Sequence, residues 1–463
     1  MSDVVRIVSP IDGSIVGERA YATDTEVEAA LAVARAAQAE WAMVPVAERA
    51  ALCLAMLDAM LGMQEDLTVE LARMMGRPVR YGGEMGGFAE RIRYMASIAP
   101  TALAAHEIEY HPASRRLIAR EPLGLVLVIA PWNYPYMTAV NTVVPALIAG
   151  NAVLLKAASQ TLLTGERFAS AFAAAGLPEG LFHHLVLSHA RTEQLLAARA
   201  VDHVSFTGSV AGGRAIERAA AGTFMGVALE LGGKDPAYVR ADADLDHAVE
   251  NLVDGAFFNS GQSCCGIERI YVAESQFDRF VEGFVATTQA YVLDDPLDQA
   301  TTLGPMAQAK GADLVREQTA AAVRAGAEAL IDPGKFDHNG GPGSPWLAPQ
   351  VLTGVDHQMA VMREESFGPV VGIMPVPDDD VAIDLMNDSA YGLTASLWTA
   401  DRDAARTLGA RLQTGTVFMN RCDYLDPALT WTGVKETGRG QSLSMLGFQA
   451  LTRPKSYNLR SVP

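Results

Sequence analysis

The tightest constraint on this chain is a pair of apolar runs of strand length, G-L-V-L-V-I-A (residues 124–130) and A-V-L-L-K (residues 152–156), set one helix apart. A strand that is apolar at nearly every position must be covered on both faces, which is the condition of a parallel sheet packed between helices. P-W-N-Y-P (131–135) closes the first run, and a helix-like segment at 138–149 leads to the turn signal Gly150-Asn151. Residues 163–175 continue as helix, 181–187 as strand, H-V-S-F-T-G (203–208) as strand and 209–221 as helix. Strands alternating with helices at this spacing are βαβ units, the architecture of a nucleotide-binding sheet.

The alternation restarts after E-L-G-G-K (230–234). Leu245, Val249, Leu252, Val253 and Ala256 share one face of a helix, with Asp242 or Asp244 as its cap and Gly261 as a stop signal. A strand from Arg269, helices at 277–291 and 307–326, a strand at 371–376, a helix at 380–386 and a strand at 393–399 complete a second α/β unit. At the front, P-I-D-G-S (10–14) is a turn between two short strands. Residues 23–75 are helical and Ala-rich until Gly76-Arg77-Pro78, and another helix covers 88–98. The tail R-P-K-S-Y-N-L (453–459) reads as an exposed strand. An unpaired strand edge is an aggregation hazard unless covered, so pairing with another subunit is expected.

A chain of 463 residues needs more than one core. Its net charge of −18 argues against nucleic acid as a partner, because phosphate binding needs clustered Lys and Arg. The apolar region 123–155 is interrupted by Pro131, Pro135, Pro145, Asn133 and Asn151, so no membrane span is expected. M-S-D-V-V-R-I shows no signal pattern. The four cysteines, Cys53, Cys264, Cys265 and Cys422, are too few for a disulfide framework and fit reduced thiols in a cytoplasmic protein. There is no H-E-x-x-H or C-x-x-C, and His183-His184 has no metal-ligand spacing, so no metal is expected. Asp378-Asp379-Asp380 reads as a solvated turn.

The chemistry centres on F-F-N-S-G-Q-S-C-C-G (257–266), a turn between a helix and a strand. A Cys there either packs as a small apolar group or points its thiol into a cleft. To act as a nucleophile, Cys264 needs a base or electropositive surroundings. Glu230 is a candidate base, read as lying in a Gly-rich loop that leaves its side chain room to move. Asn133 can supply an amide donor to a developing oxyanion.

P-W-N-Y-P, L-L-K at Lys156, F-T-G-S-x3-G (206–213), E-L-G-G-K, G-Q-x-C (261–264), E-E-x-F-G-P (364–369) and G-V-K-x-T-G (433–438) stand in this order along the chain. Each alone is weak, but in this order they resemble the aldehyde dehydrogenase superfamily over essentially the whole chain, in its short semialdehyde-dehydrogenase-like branch. The interval from Glu230 to Cys264 matches as well. The resemblance implies an α/β fold with a Rossmann-type cofactor domain (1–103 and 123–232), a second α/β catalytic domain (233–435) and a small β oligomerisation extension (104–122 and 436–463). A homodimer or homotetramer follows from it.

It also implies roles. Cys264 resembles the nucleophile that attacks an aldehyde, and Cys265 a variable neighbour. Asn133 and the Cys264 backbone N–H resemble the oxyanion donors, and Glu230 the base that activates water to hydrolyse a thioester. Lys156 resembles the ribose-binding lysine. Gly208, Ser209 and Gly213 begin the helix whose N-terminus faces the pyrophosphate, so the missing G-x-G-x-x-G is no contradiction. Trp132, Leu231, Gly232, Glu365 and Phe367 complete the cofactor set, Glu365 at the nicotinamide ribose and Phe367 near the ring. Where NAD-preferring members carry K-P-x-E, this chain has Lys156-Ala157-Ala158-Ser159. A Glu would repel a 2′-phosphate and Ser159 would not, so NADP⁺ is expected to be accepted alongside or ahead of NAD⁺.

For the substrate, family positions fall on Tyr134, Met137, Asn141, Asp423, Leu425 and Trp431. A wall of Trp132, Tyr134 and Trp431 suits an apolar or aromatic aldehyde, against the alternative that these rings are ordinary packing. Arg421 could hold the carboxylate of a semialdehyde or, more simply, pair with Asp423 or Asp426. Two other functions stand beside hydrolytic aldehyde oxidation. A coenzyme A-acylating relative would generally lack the Glu230 base, and a non-catalytic homologue would have lost Cys264, Glu230 or Asn133.

Overall fold

The computed structural model describes residues 4–111 and 114–461. Two sheets organise them. The first has six strands, in the spatial order Gly438–Arg439, Gly226–Glu230, His203–Thr207, Leu125–Ile129, Ala152–Lys156 and Phe182–His184. Its last five are parallel. Leu125–Ile129 and Ala152–Lys156 are buried at every residue, as their apolar sequences require. Helices Val46–Leu61, Met85–Ala102 and Pro135–Ile148 share the core on which this sheet packs.

The second sheet has seven strands, ordered Glu328–Ala329, Gln350–Thr353, Val370–Val376, Ile267–Ala273, Asp235–Val239, Thr394–Trp398 and Thr416–Met419. All pair in parallel except Glu328–Ala329. An interior strand, Asp235–Val239, begins D-P-A, and proline normally argues against a strand paired on both sides. The ladder to Ile267–Ala273 shifts register at Asp235/Pro236, which accommodates the missing N–H.

Several elements lie outside the sequence reading. Glu230 is the last residue of a strand, Gly226–Glu230, and does not sit in a mobile loop. Helices His189–Ala197 and Arg402–Gly409 fill connections to which the sequence reading assigns no element. The tail strand Thr452–Arg460 is already paired antiparallel along its whole length with Ser114–Pro122, which pairs on its other side with His106–His111. Only one edge of the tail strand is therefore open in a single chain. The segment 436–463 also does more than extend that small sheet. Gly438–Arg439 pairs with the end of Gly226–Glu230, and helix Ser444–Ala450 packs on Met85–Ala102, so this part belongs structurally with the first sheet.

Asn151, fully buried, ties these parts together. Its side-chain oxygen accepts from the Leu123 and Gly124 N–H groups at 2.6 and 3.0 Å, and its amide donates to Ala146 O and Leu451 O at 3.1 and 3.0 Å. Asn151→Ala strands these backbone groups away from water. It should cost about 2–4 kcal/mol, read as an earlier transition in urea or thermal denaturation followed by circular dichroism.

Candidate active site

The helix Leu245–Phe257, capped by Asp244 accepting from His247 N–H at 3.2 Å, delivers the chain to the Cys-bearing turn. Three consecutive residues there, Asn259, Ser260 and Gly261, have φ of 54, 56 and 69°. A non-glycine residue rarely adopts this left-handed region, so the turn must be held from outside. Arg77 Nε donates to Asn259 Oδ1 at 3.2 Å, and Ser260 Oγ donates to Gly304 O at 2.8 Å. Gly261 is the third: a Cβ on it would collide with the Gly368 carbonyl of E-E-x-F-G-P.

Arg77 also organises P-W-N-Y-P. Its guanidinium donates to Asn133 O, lies 4.5 Å from the Tyr134 ring centroid, and pairs with Glu84 at 2.8 Å. Glu84 in turn accepts the Tyr136 and Met137 N–H groups at 3.1 and 2.8 Å, capping the helix Pro135–Ile148. Asn133, buried, donates one amide N–H to Gln262 O at 3.1 Å. An amide carries two N–H donors, so one remains. The Cys264 backbone N–H donates to no acceptor among the described residues.

Cys264, half-buried, lines a cavity of about 300 Å³ together with Glu230, Tyr134, Met137, Leu425 and Trp431. Glu230 Oε1 accepts from Ser442 Oγ at 2.6 Å and Oε2 from Thr207 Oγ1 at 3.2 Å. Desolvation pushes its carboxyl above the ordinary range, against the lowering effect of those two hydroxyls. Asp423 and Asn141 line the same cavity. Asp423 accepts from Ser263 Oγ at 3.2 Å and Cys265 Sγ at 2.8 Å, and burial pushes its carboxyl up to about 6.

Two expected positions fall elsewhere. Trp132 is turned away from the cavity wall and packs edge-on against Phe367, with ring centroids 5.5 Å apart. Arg421, exposed, lays its guanidinium 3.3 Å over the Tyr424 ring and forms no ion pair with Asp423 or Asp426. A cation–π contact outcompetes the expected salt bridge because Asp423 is committed inward.

The cofactor set gathers at the ends of the first sheet. Lys156 closes its strand buried, and that burial lowers its ammonium below the usual range. Ser159, exposed, lies just beyond. Ser209 caps the helix Val210–Ala220, accepting from Gly212 N–H at 3.2 Å, and Gly208 lies against the Phe206 ring. A Cβ on Gly213 would strike Leu231, and one on Gly232 would strike the Glu365 carboxylate. Glu365 accepts the Gly233 N–H at 3.0 Å, and burial raises its carboxyl to about 7. Lys234, fully buried, pairs with Glu268 and donates to Ser366 Oγ at 3.0 Å. Glu268 accepts the Ser366 and Phe367 N–H groups at 2.8 and 3.0 Å.

The profile of the aldehyde dehydrogenase family matches residues 1–457. The chain belongs to the aldehyde dehydrogenase family. Among curated aldehyde dehydrogenases it is 34% identical to a succinate-semialdehyde dehydrogenase [NADP(+)] of Deinococcus radiodurans, covering 97% of this chain and 93% of that one. It is 33% identical to a geranial dehydrogenase of Castellaniella defragrans, covering 96% and 93%. The crystal structure of an NAD-dependent aldehyde dehydrogenase from Sinorhizobium meliloti superposes with a TM-score of 0.93 at 33% identity, over 99% of this chain and 92% of that one.

Sequence reasoning missed Arg77, Glu84, Arg91, Thr207 and Ser442, which hold or line the site. Gly76-Arg77-Pro78 was legible only as a helix stop. Nothing local marks a long-range partner.

Because the Arg77–Glu84 pair is buried, with side chains 3% and 0% exposed, removing one partner strands the other charge. Arg77→Met should destabilise the protein by about 3–5 kcal/mol. It should also lower kcat by more than the loss of folded protein accounts for, measured by active-site titration alongside circular dichroism.

Proposed function

We propose that this chain oxidises an aldehyde to a carboxylic acid with NAD(P)⁺, using Cys264 as nucleophile, Glu230 as general base and Asn133 as oxyanion donor. The observation that carries the reading is the convergence of Cys264 and Glu230 on one cavity, with the Asn133 amide held against Gln262, two residues before the nucleophile.

Cys264, its thiol proton released to solvent, adds its sulfur to the aldehyde carbon, and the spare Asn133 N–H and the Cys264 N–H are the donors available to the oxygen as it takes charge. A bound nicotinamide supplies the acceptor for the hydride that leaves the resulting thiohemiacetal. The product on Cys264 is a thioester. Glu230 then takes a proton from water, whose oxygen bonds to the acyl carbon as the Cys264 sulfur leaves with its electron pair, releasing the carboxylate. Ser442 and Thr207 each occupy one oxygen of Glu230, leaving lone pairs for that water. A base at this position favours hydrolysis over transfer to coenzyme A.

Lys156, Ser159, Ser209 and Glu365 are the residues that would hold the cofactor. The N-terminus of Val210–Ala220 is capped by an uncharged serine and offers its free N–H groups to an anion. No carboxylate stands at Ser159 to repel a 2′-phosphate. The relatives include enzymes named for NADP⁺ and for NAD⁺. The three-stranded extension, with the outer edge of Thr452–Arg460 open, is the surface through which subunits of a dimer or tetramer would join. No helix among the described residues is long and apolar enough to cross a membrane, and we place the enzyme in the cytoplasm.

Cys264→Ala should abolish aldehyde-dependent reduction of the nicotinamide. Glu230→Gln should release up to one equivalent of reduced cofactor per site and then stall. A carboxyl raised by desolvation becomes a base only above its raised value. The wild-type steady-state rate should therefore climb with pH beyond the ordinary carboxylate range, and the Gln variant should lose that limb. Ser159→Glu should lower kcat/KM for NADP⁺ by about tenfold or more relative to NAD⁺. An unchanged ratio would remove Ser159 from cofactor choice.

A further inference from the structure

We infer that Arg91 is a positioning residue for hydrolysis of the thioester and acts through Glu230. It sets a fixed positive charge on the wall of the cavity that the base also lines, and that charge keeps the base in its proton-accepting form. The role rests on the aldehyde-oxidising reading above. Arg91, on the helix Met85–Ala102, and Glu230, at the end of the strand Gly226–Glu230, both line the cavity that holds Cys264. Arg91 is 6% exposed. Its Nη1 donates to Met137 O at 2.5 Å and to Asn141 Oδ1 at 3.2 Å. Both acceptors belong to the helix Pro135–Ile148, so the guanidinium is tied to a second rigid element.

Glu230 takes its two close hydrogen bonds from uncharged groups, Ser442 Oγ at 2.6 Å and Thr207 Oγ1 at 3.2 Å. A hydroxyl steadies a carboxylate but brings no net charge, and a desolvated anion without a cation is costly. Arg91 forms no ion pair within 4.0 Å among the described residues, so no single carboxylate claims its charge. Three carboxylates feel that charge: Glu84, Glu230 and Glu90. Glu84 is paired with Arg77 at 2.8 Å, and Glu90 is exposed and bonded by the Tyr424 hydroxyl at 2.5 Å. Glu230 is the remaining one. Desolvation raises its carboxyl, the two hydroxyls lower it, and the Arg91 charge lowers it further.

The other charged groups around Glu230 do not supply this. Asp423, Glu90 and Asp254 line the same cavity, but as acids they oppose ionisation of the base. Cys264 and Cys265 carry no positive charge, and Cys265 donates to Asp423 at 2.8 Å. Arg439, on the strand that pairs with Gly226–Glu230, is exposed and bound to Glu217 at 2.9 Å. Lys234 is committed to Glu268, and Glu365, over Gly232, is a further acid. Among the described residues Arg91 is therefore the one cation that acts on the base. Burial lowers its guanidinium, but an arginine stays protonated across the range in which a carboxyl titrates. The charge is thus constant while Glu230 takes up and releases its proton. Glu230 can accept a proton from water only as a carboxylate, and without the cation it would reach that form at higher pH.

The test is a single-turnover experiment across pH, with enzyme in excess over propanal or benzaldehyde and with NADP⁺ or NAD⁺ bound. Absorbance of the reduced nicotinamide reports hydride transfer, and acid in quenched samples reports hydrolysis of the thioester. In Arg91→Met and Arg91→Gln the rising limb of acid formation should move by about half a pH unit or more to higher pH. Hydride transfer should keep its pH profile. Arg91→Lys, which keeps the charge, should return the limb towards its wild-type place. Arg91→Gln retains an N–H for Met137 O and serves where Arg91→Met does not fold, as judged by circular dichroism. An acid limb that stays in place in a folded uncharged variant overturns the role and leaves the aldehyde reading standing. So does a limb that moves as far in Arg91→Lys as in Arg91→Gln, since a packing defect and not the charge would then move it. A wild type that oxidises neither aldehyde with either cofactor overturns the aldehyde reading and this role with it.

Discussion

The buried pair of Arg77 and Glu84 is the interaction on which the site depends. Charges this deeply buried are stable only when geometry and further hydrogen bonds offset desolvation, and here the further bonds build the turns that carry Asn133 and Asn259. Arg77 spends its remaining N–H groups on Asn133 O and Asn259 Oδ1. Glu84 spends its other oxygen on the start of the helix that follows P-W-N-Y-P. Two loops distant in sequence are thereby fixed to one planar cation. The left-handed run at 259–261 needs such external support beyond the bonds inside the turn, Asn259 Nδ2 to Gln262 O at 3.2 Å and Gln262 Nε2 to Asn259 O at 3.0 Å.

A second buried pair works the same way from the opposite side. Lys234 and Glu268 are 0% and 5% exposed, and Glu268 gathers the N–H groups of Ser366 and Phe367. That places Glu365 over Gly232 and Gly233 and brings Gly368 onto Gly261. The glycines of these motifs mark close backbone approaches between loops. A Cβ on Gly233 would meet the Cys264 carbonyl itself, so the segment that follows the strand Gly226–Glu230 touches the Cys264 turn.

This explains what could be read from the sequence. The strands Leu125–Ile129 and Ala152–Lys156 are legible because double-sided burial writes itself into every residue. The motif residues are legible because their order along the chain resembles a family. Glu230 was misplaced in a loop, since G-V-A-L-E is short, begins with glycine and owes its strand state to neighbours on both sides, including Gly438–Arg439 from the far end of the chain. Trp132 and Arg421 lie outside the cavity lining for a related reason. Chain position fixes which loop a side chain leaves from, and only tertiary packing fixes which way it turns. Arg77 and Arg91 carried no local signal, because a cation's role is set by the partner it finds or lacks.

The same principle separates the two adjacent thiols. Cys265 is 3% exposed and donates its Sγ–H to Asp423 at 2.8 Å. The neighbouring Cys264 thiol, burial and the Asp423 charge all push the Cys265 thiol well above its ordinary value. A thiol that must keep its proton to satisfy a buried carboxylate cannot serve as a nucleophile. Cys264 has no such tie and faces the cavity beside Glu230. Asp423, expected as a wall of the substrate funnel, therefore also ties down the Cys265 sulfur. It makes a C-C dipeptide chemically asymmetric, which supports the nucleophile's role proposed for Cys264.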